Sequence, residues 1–137
     1  MTTVATALRS LGIKEWVLRG EPTNETEFKS MFRKVTKMDS SGSAIESADP
    51  KDFGTTWKAV SDKKKALEDA EPMRLLRLER NKRLIQTDWM ASSDLTLASN
   101  WKTYRQQLRD LPSSASPKLS SDGSLDISSV TFPTKPS

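Results

Sequence analysis

Leu97, Trp101, Tyr104, Leu108 and Leu111 stand 4, 3, 4 and 3 residues apart, and Pro112 follows directly. That spacing lays one apolar seam along about four helical turns, and an uncovered seam of this kind calls for a second helix packed against it. The cover is residues 73–88, rich in Leu, Arg and Glu, all strong helix formers. Between the two runs lies the polar turn Ala91-Ser92-Ser93-Asp94, so the connection from Trp89 to Thr96 closes an antiparallel helical hairpin. Pro112 is expected to stop the second helix, because its ring removes a donor and crowds the preceding turn.

Upstream the pattern changes period. Val4, Ala7, Leu8 and Leu11 have helical spacing and end at Gly12, a good C-terminal stop. Residues 13–19 are β-prone and close on the turn Gly20-Glu21-Pro22. Asn24 with Glu27 forms a capping pair, after which Phe28, Met31, Phe32 and Val35 mark an amphipathic helix. Residues 38–54 are rich in Ser, Asp and Gly and read as a loop or irregular hairpin. Residues 55–60 are short and β-prone, so a second strand pairing with 13–19 is expected there. Ser61 or Asp62 then caps the next helix, with a kink or break near Glu71, where Pro72 permits a new start.

Beyond Pro112 the chain is dominated by Ser, Pro, Lys and Asp, with isolated Leu119, Leu125, Ile127, Val130 and Phe132, too few to build a core alone. The expected class is therefore α+β. It comprises a small N-terminal helix-strand-helix unit (1–60), a C-terminal antiparallel helical hairpin (61–112) and an extended arm (113–137).

Only 34 % of the 137 residues are hydrophobic and 29 % are charged, so the core should be thin and lean on a partner. There is no run of about 18 apolar residues to span a bilayer, and the first residues lack a basic and apolar leader. A soluble chain, not exported by the general route, is expected, with no membrane association. Cys and His are both absent, which removes thiolate nucleophiles, disulfides and the commonest general base and metal ligands. Carboxylate, Lys and Ser chemistry remains possible, but no pair has a recognisable setting and no Gly-rich phosphate loop exists. No catalytic residues, metal or cofactor are expected.

Three sets of residues could carry binding. Trp89, Trp101 and Tyr104 supply large aromatic area with polar handles, which either a core or an interface would use, and pinning the two helices together is the commoner role for a Trp at such a position. Lys63, Lys64, Lys65, Arg74, Arg77, Arg80, Lys82 and Arg83 could follow a polyanion, so a basic nucleic-acid-binding or regulatory module is the alternative function. Glu68, Asp69, Glu71 and Glu79 are interleaved with them, and net charge is only +4, so a nucleic-acid partner is not expected. The segment Phe132-Pro133-Thr134-Lys135-Pro136 is either an aromatic-anchored docking arm or a disordered end.

The hairpin also carries a resemblance. The run Arg77-x-x-Arg80-x-x-x-Leu84-x-x-Thr87-Asp88-Trp89, then Ser93-Asp94, then Trp101-x-x-Tyr104-Arg105-x-x-Leu108-Arg109-Asp110-Leu111-Pro112 resembles the tail assembly chaperone-like domain of tailed bacteriophages. Similar phage proteins end in a Pro-containing aromatic segment, with Trp where this chain has Phe132. The start, Ser10-Leu11-Gly12-Ile13-Lys14-Glu15-Trp16-Val17-Leu18-Arg19-Gly20, is similar to proteins of cyanobacterial myophages. The resemblance implies a protein that binds phage tail or tail-fibre components in the host cytoplasm, as an assembly chaperone or as a subunit retained in the virion tail, with a homo-oligomer open. Trp89, Trp101, Tyr104, Arg105, Leu108, Arg109, Phe132 and Pro133 are the expected partner-binding residues, and Thr87, Asp88 and Asp110 the orienting ones. Asp88 is expected to cap or to pair with Arg105 or Arg109 across the hairpin.

Overall fold

In the computed structural model, which describes residues 2–137, Thr3 opens helix α1 (Val4–Ser10), its Oγ1 accepting the Thr6 N–H at 3.2 Å. Strand β1 (Trp16–Leu18) follows, then helix α2 (Glu25–Met31), capped as the sequence predicts by Asn24 Oδ1 on the Glu27 N–H at 2.9 Å. The Glu27 carboxylate turns back to the Thr23 N–H at 2.7 Å and completes the cap. The chain is α+β and divides into two compact units, one ending at Asp69 and the other Ala70–Ser137.

The first unit departs from the sequence reading at Phe32. The helical stripe of Phe28, Met31, Phe32 and Val35 is broken after Met31, and β2 (Phe32–Met38) starts at once. Local periodicity favours helix here, but strand pairing on both sides of β2 outweighs it. β1 lies antiparallel on one side, with Leu18 opposite Phe32 and Trp16 opposite Lys34, and β3 (Ala44–Ser47) lies antiparallel on the other. The switch puts Phe32 under Phe28, ring centroids 4.9 Å apart, and edge-on to Phe53 at 4.7 Å. With Val4, Ala7, Leu8 and Val60 these rings form the core of the unit.

The strand expected at 55–60 does not exist. Thr56 Oγ1 accepts the Ala59 N–H at 3.2 Å and starts helix α3 (Trp57–Ile85), which begins upstream of the expected cap at Ser61 or Asp62. Helical spacing sends Val60 into the core and packs Trp57 against it, which alternation along a strand would not do. The partner of β1 is β2 instead. Pro72 does not break α3, since a proline removes one N–H from the ladder without preventing the helix from continuing on both sides.

At Gly20 the backbone takes φ 133°, a region only glycine occupies readily, and an added Cβ would stand 3.0 Å from Met31 Sδ. Gly20→Ala should therefore cost about 1–2 kcal/mol in chemical unfolding.

In the second unit, the last turns of α3 lead through a 3-10 turn (Asp88–Ala91) to helix α4 (Ser99–Ser114). α3 ends at Ile85, short of the expected Asp88. Pro112 does not stop α4, which runs on to Ser114 with the Ala115 N–H closing on the Leu111 carbonyl at 3.0 Å. A proline in the final turn removes a single bond, to the Leu108 carbonyl, and residues beyond it still complete theirs. Leu76 packs with Leu111, Arg80 Nη1 donates to the Arg109 carbonyl at 3.3 Å, and Arg105 Nη1 donates to the Leu84 carbonyl at 3.1 Å. As the residue number rises on α3 it falls on α4, so the predicted hairpin is antiparallel.

Candidate partner-binding surface

Leu84 lies in the last turn of α3, so its carbonyl lacks a partner within the helix. The Thr87 N–H and the Thr87 hydroxyl both donate to it at 3.0 Å. Arg105 then reaches over from α4. Its Nη1 donates to the Leu84 carbonyl and, at 2.6 Å, to Thr87 Oγ1, while Nη2 stands 2.9 Å from Asp88 Oδ1. The Arg105 side chain is only 12 % exposed and Thr87 is buried, whereas Asp88 stays open to solvent. A cation at a helix C-terminus is favourable in itself, and the planar guanidinium serves all three acceptors at once. Thr87, Asp88 and Arg105 therefore form a lock that fixes how α3 turns toward α4. Of the two pairings expected for Asp88, the one with Arg105 is made.

The lock sets the exit direction of the next residue, Trp89. Its indole Nε1 donates to the Gln86 carbonyl at 3.1 Å, and the ring remains 62 % exposed. Together with Met90, Leu95, Thr96, Leu97, Ala98 and Trp101 it lines a groove of about 250 Å³. No ionisable side chain lines this groove, and Leu95 is also half exposed. Trp101 is half-buried and meets Tyr104 edge-on, centroids 5.9 Å apart. Along α4 the seam thus passes from an open end at Trp101 to a closed one at Tyr104, Leu108 and Leu111, all buried.

Several expected partner-binding residues are therefore placed differently. Tyr104 and Leu108 are buried, because the seam faces inward beyond Trp101, so neither is an exposed anchor. Arg109 is exposed and bonds Gln106 Oε1 on its own helix at 3.0 Å, and Asp110 accepts from Gln106 Nε2 at 2.9 Å, so neither orients the hairpin turn. Phe132 folds back against Leu76, Leu111 and Val130, with the Arg83 guanidinium 3.8 Å above its ring. Pro133 is half-buried beside it, along a cleft lined by Leu111, Ser113 and Ser114. Met90 and Leu95 were missed; their signal is two large apolar side chains inside an otherwise polar connection.

Half of the basic residues singled out on α3 are paired with acidic neighbours. Lys64 faces Glu21 and Glu68, Lys65 faces Asp69 at 3.0 Å, Arg74 faces Glu71 at 2.6 Å and Arg83 faces Glu79 at 3.0 Å. Hydrogen bonding to Arg74 holds the Glu71 carboxyl below its usual range, and hydrogen bonding to Asp69 raises Lys65. A lowered carboxylate contributes stability that is lost as pH falls through its folded-state value, and a raised lysine contributes stability that is lost as pH rises through its own, so Glu71 weakens its pair in acid and Lys65 weakens its pair in alkali. Among the described residues Lys63, Arg77, Arg80 and Lys82 have no carboxylate partner, and Arg80 is turned to the Arg109 carbonyl, so no continuous track for a polyanion is left.

Residues 73–137, almost the whole second unit, match the family model described as phage tail assembly chaperone protein. This part of the chain is thus tail assembly chaperone-like, as the Thr-Asp-Trp and Tyr-Arg motifs imply, and it carries both the lock and the groove. The matched family is not a known enzyme family. No curated protein and no solved structure matches the chain.

Proposed function

We propose that this protein assists phage tail assembly by binding tail or tail-fibre proteins in the host cytoplasm through the groove between Trp89 and Trp101. The observation that carries the reading is the pairing of a buried polar lock with an exposed aromatic. Arg105, Thr87 and Asp88 hold rigid the one turn from which Trp89 projects, and Trp89 is among the most exposed large apolar side chains of the chain. Pre-organised aromatic anchors at the edge of an apolar groove are the usual carriers of binding energy between proteins. Chaperone action is favoured over permanent residence because residues 73–137, which carry the groove, match the family model described as phage tail assembly chaperone protein.

Co-purification from infected cells, with identification of the recovered proteins, tests the partner class, and mass spectrometry of finished virions tests the mode. Recovery of tail proteins with absence from mature particles is the expected pair of results. Stoichiometric presence in purified virions would make the protein a tail subunit instead.

Because the groove holds no titratable side chain and the chain has no histidine, binding should be flat between about pH 6 and 9. It should also vary little with salt, and a steep loss of affinity between low and moderate ionic strength would favour a nucleic-acid reading.

A further inference from the structure

β1 is an edge of the sheet, whose strand order is β1-β2-β3. The bonds at its two ends fix which of its backbone groups face outward. The Val35 N–H donates to the Glu15 carbonyl at 2.7 Å and the Arg19 N–H donates to the Met31 carbonyl at 3.0 Å, so residues 15, 17 and 19 turn their backbone groups to β2. In an antiparallel ladder the residues between them point the other way, and the N–H and carbonyl groups of Trp16 and Leu18 face the open edge. Among the described residues no hydrogen bond reaches these groups, and no element other than β2 runs along β1.

This edge is complementary to itself. When a second β1 is laid antiparallel to the first with Val17 opposite Val17, Trp16 of each copy stands opposite Leu18 of the other, and every outward N–H meets an outward carbonyl. The same register sets Glu15 of each copy opposite Arg19 of the other, a cross-strand pair of opposite charge that the two-fold repeats. Both side chains are exposed. Arg19 holds Glu46 at 2.8 Å through Nη2 alone, so the guanidinium has donors to spare for a second carboxylate. Centring the pair on Trp16 or on Leu18 instead leaves outward groups of β1 facing residues beyond the strand and loses the charge match. β3 offers no equivalent, since a self-pair centred on Ile45 sets Glu46 opposite Ala44.

We propose that two copies of the chain pair through β1, antiparallel about Val17, and so join their sheets into one. The occupant of the edge is a second copy because the strand that fits it needs an acidic and a basic residue placed as Glu15 and Arg19 are, and this chain supplies both. Pairing β1 with β3 of another copy would leave an edge open at each end and add copies without limit, whereas β1 on β1 closes as a dimer. The contact belongs wholly to the first unit and uses no residue of the Trp89 groove, so the two proposals can fail separately.

Sedimentation of the full chain over a concentration series, beside Glu15→Arg, Arg19→Glu and the double variant, tests the pairing. The wild type should dimerise as concentration rises. Each single reversal sets like charges opposite one another and should weaken the dimer about tenfold, while the double variant should return to within about threefold of the wild type. Loss of the Arg19 pair with Glu46 cannot mimic that rescue, because the double variant lacks the pair as well. Amide exchange read residue by residue supplies the second measurement. The Trp16 and Leu18 amides should exchange more slowly in the dimer than in dilute solution, and the Val17 amide, bonded to β2 in both states, should not change. A chain that stays monomeric at every concentration would overturn the proposal. So would a double variant no better than the single ones, or a dimer in which Trp16 and Leu18 exchange as they do in dilute solution.

Discussion

Replacing Arg105 with alanine should destabilise the second unit by about 2–3 kcal/mol, because it withdraws a charged donor from a buried acceptor and a part-buried one at once. The Leu84 carbonyl keeps the Thr87 N–H and hydroxyl, but Thr87 Oγ1 loses the Arg105 bond at 2.6 Å and is left buried with spare acceptor capacity. Arg105→Lys should recover little of the loss, since an ammonium on a flexible stem cannot reproduce the planar fork that reaches Leu84, Thr87 and Asp88 together. Asp88→Asn should cost far less, about 0–1 kcal/mol, because Asp88 is 56 % exposed and water replaces much of what the ion pair provides. Urea unfolding of the three variants, followed by helical circular dichroism, gives the order. An Asp88→Asn effect equal to that of Arg105→Ala would mean that the lock is an ion pair and not a cap on the end of α3.

Trp89→Ala should show the opposite profile: a stability change within about 0.5 kcal/mol and a loss of about 2–4 kcal/mol in affinity for the tail partner. The ring is mostly in solvent and its one hydrogen bond runs to the Gln86 carbonyl on its own turn, so folding gains little from it. Binding would gain much, because a large aromatic presented in a fixed direction loses little conformational freedom when covered. Trp101→Ala separates the two roles differently. Its ring is half-buried and braces Tyr104, so stability and affinity should fall together.

The hairpin was legible in the sequence because its signal is local: a seam of period 3.5, a polar connection, and strong helix formers on both sides. The α2 cap at Asn24 was legible for the same reason, whereas the sequence left Asp88 open between Arg105 and Arg109, and the structure makes the first. Phe32 was misread because its position in a helical stripe is a local fact, while its place in a strand depends on β1 and β3 arriving from elsewhere in the chain. Residues 55–60 failed in the reverse sense. Their β-branched composition suggests a strand, yet Thr56 caps a helix that buries Val60 and packs Trp57 against the same core. Within the site, the carbonyl of Leu84 could not be foreseen, because backbone acceptors leave no mark in a residue pattern. The inward turn of Tyr104 and Leu108 is likewise decided by what covers α4, and spacing alone does not say which end of a seam stays open.

The most direct test of the binding surface is recovery of tail proteins from infected cells by tagged wild-type protein and tagged Trp89→Ala, side by side, with each variant shown to be folded. Tail proteins identified with the wild type and depleted with Trp89→Ala are the predicted result. The same tail proteins recovered in equal amounts by both would show that the partner is held elsewhere on the chain.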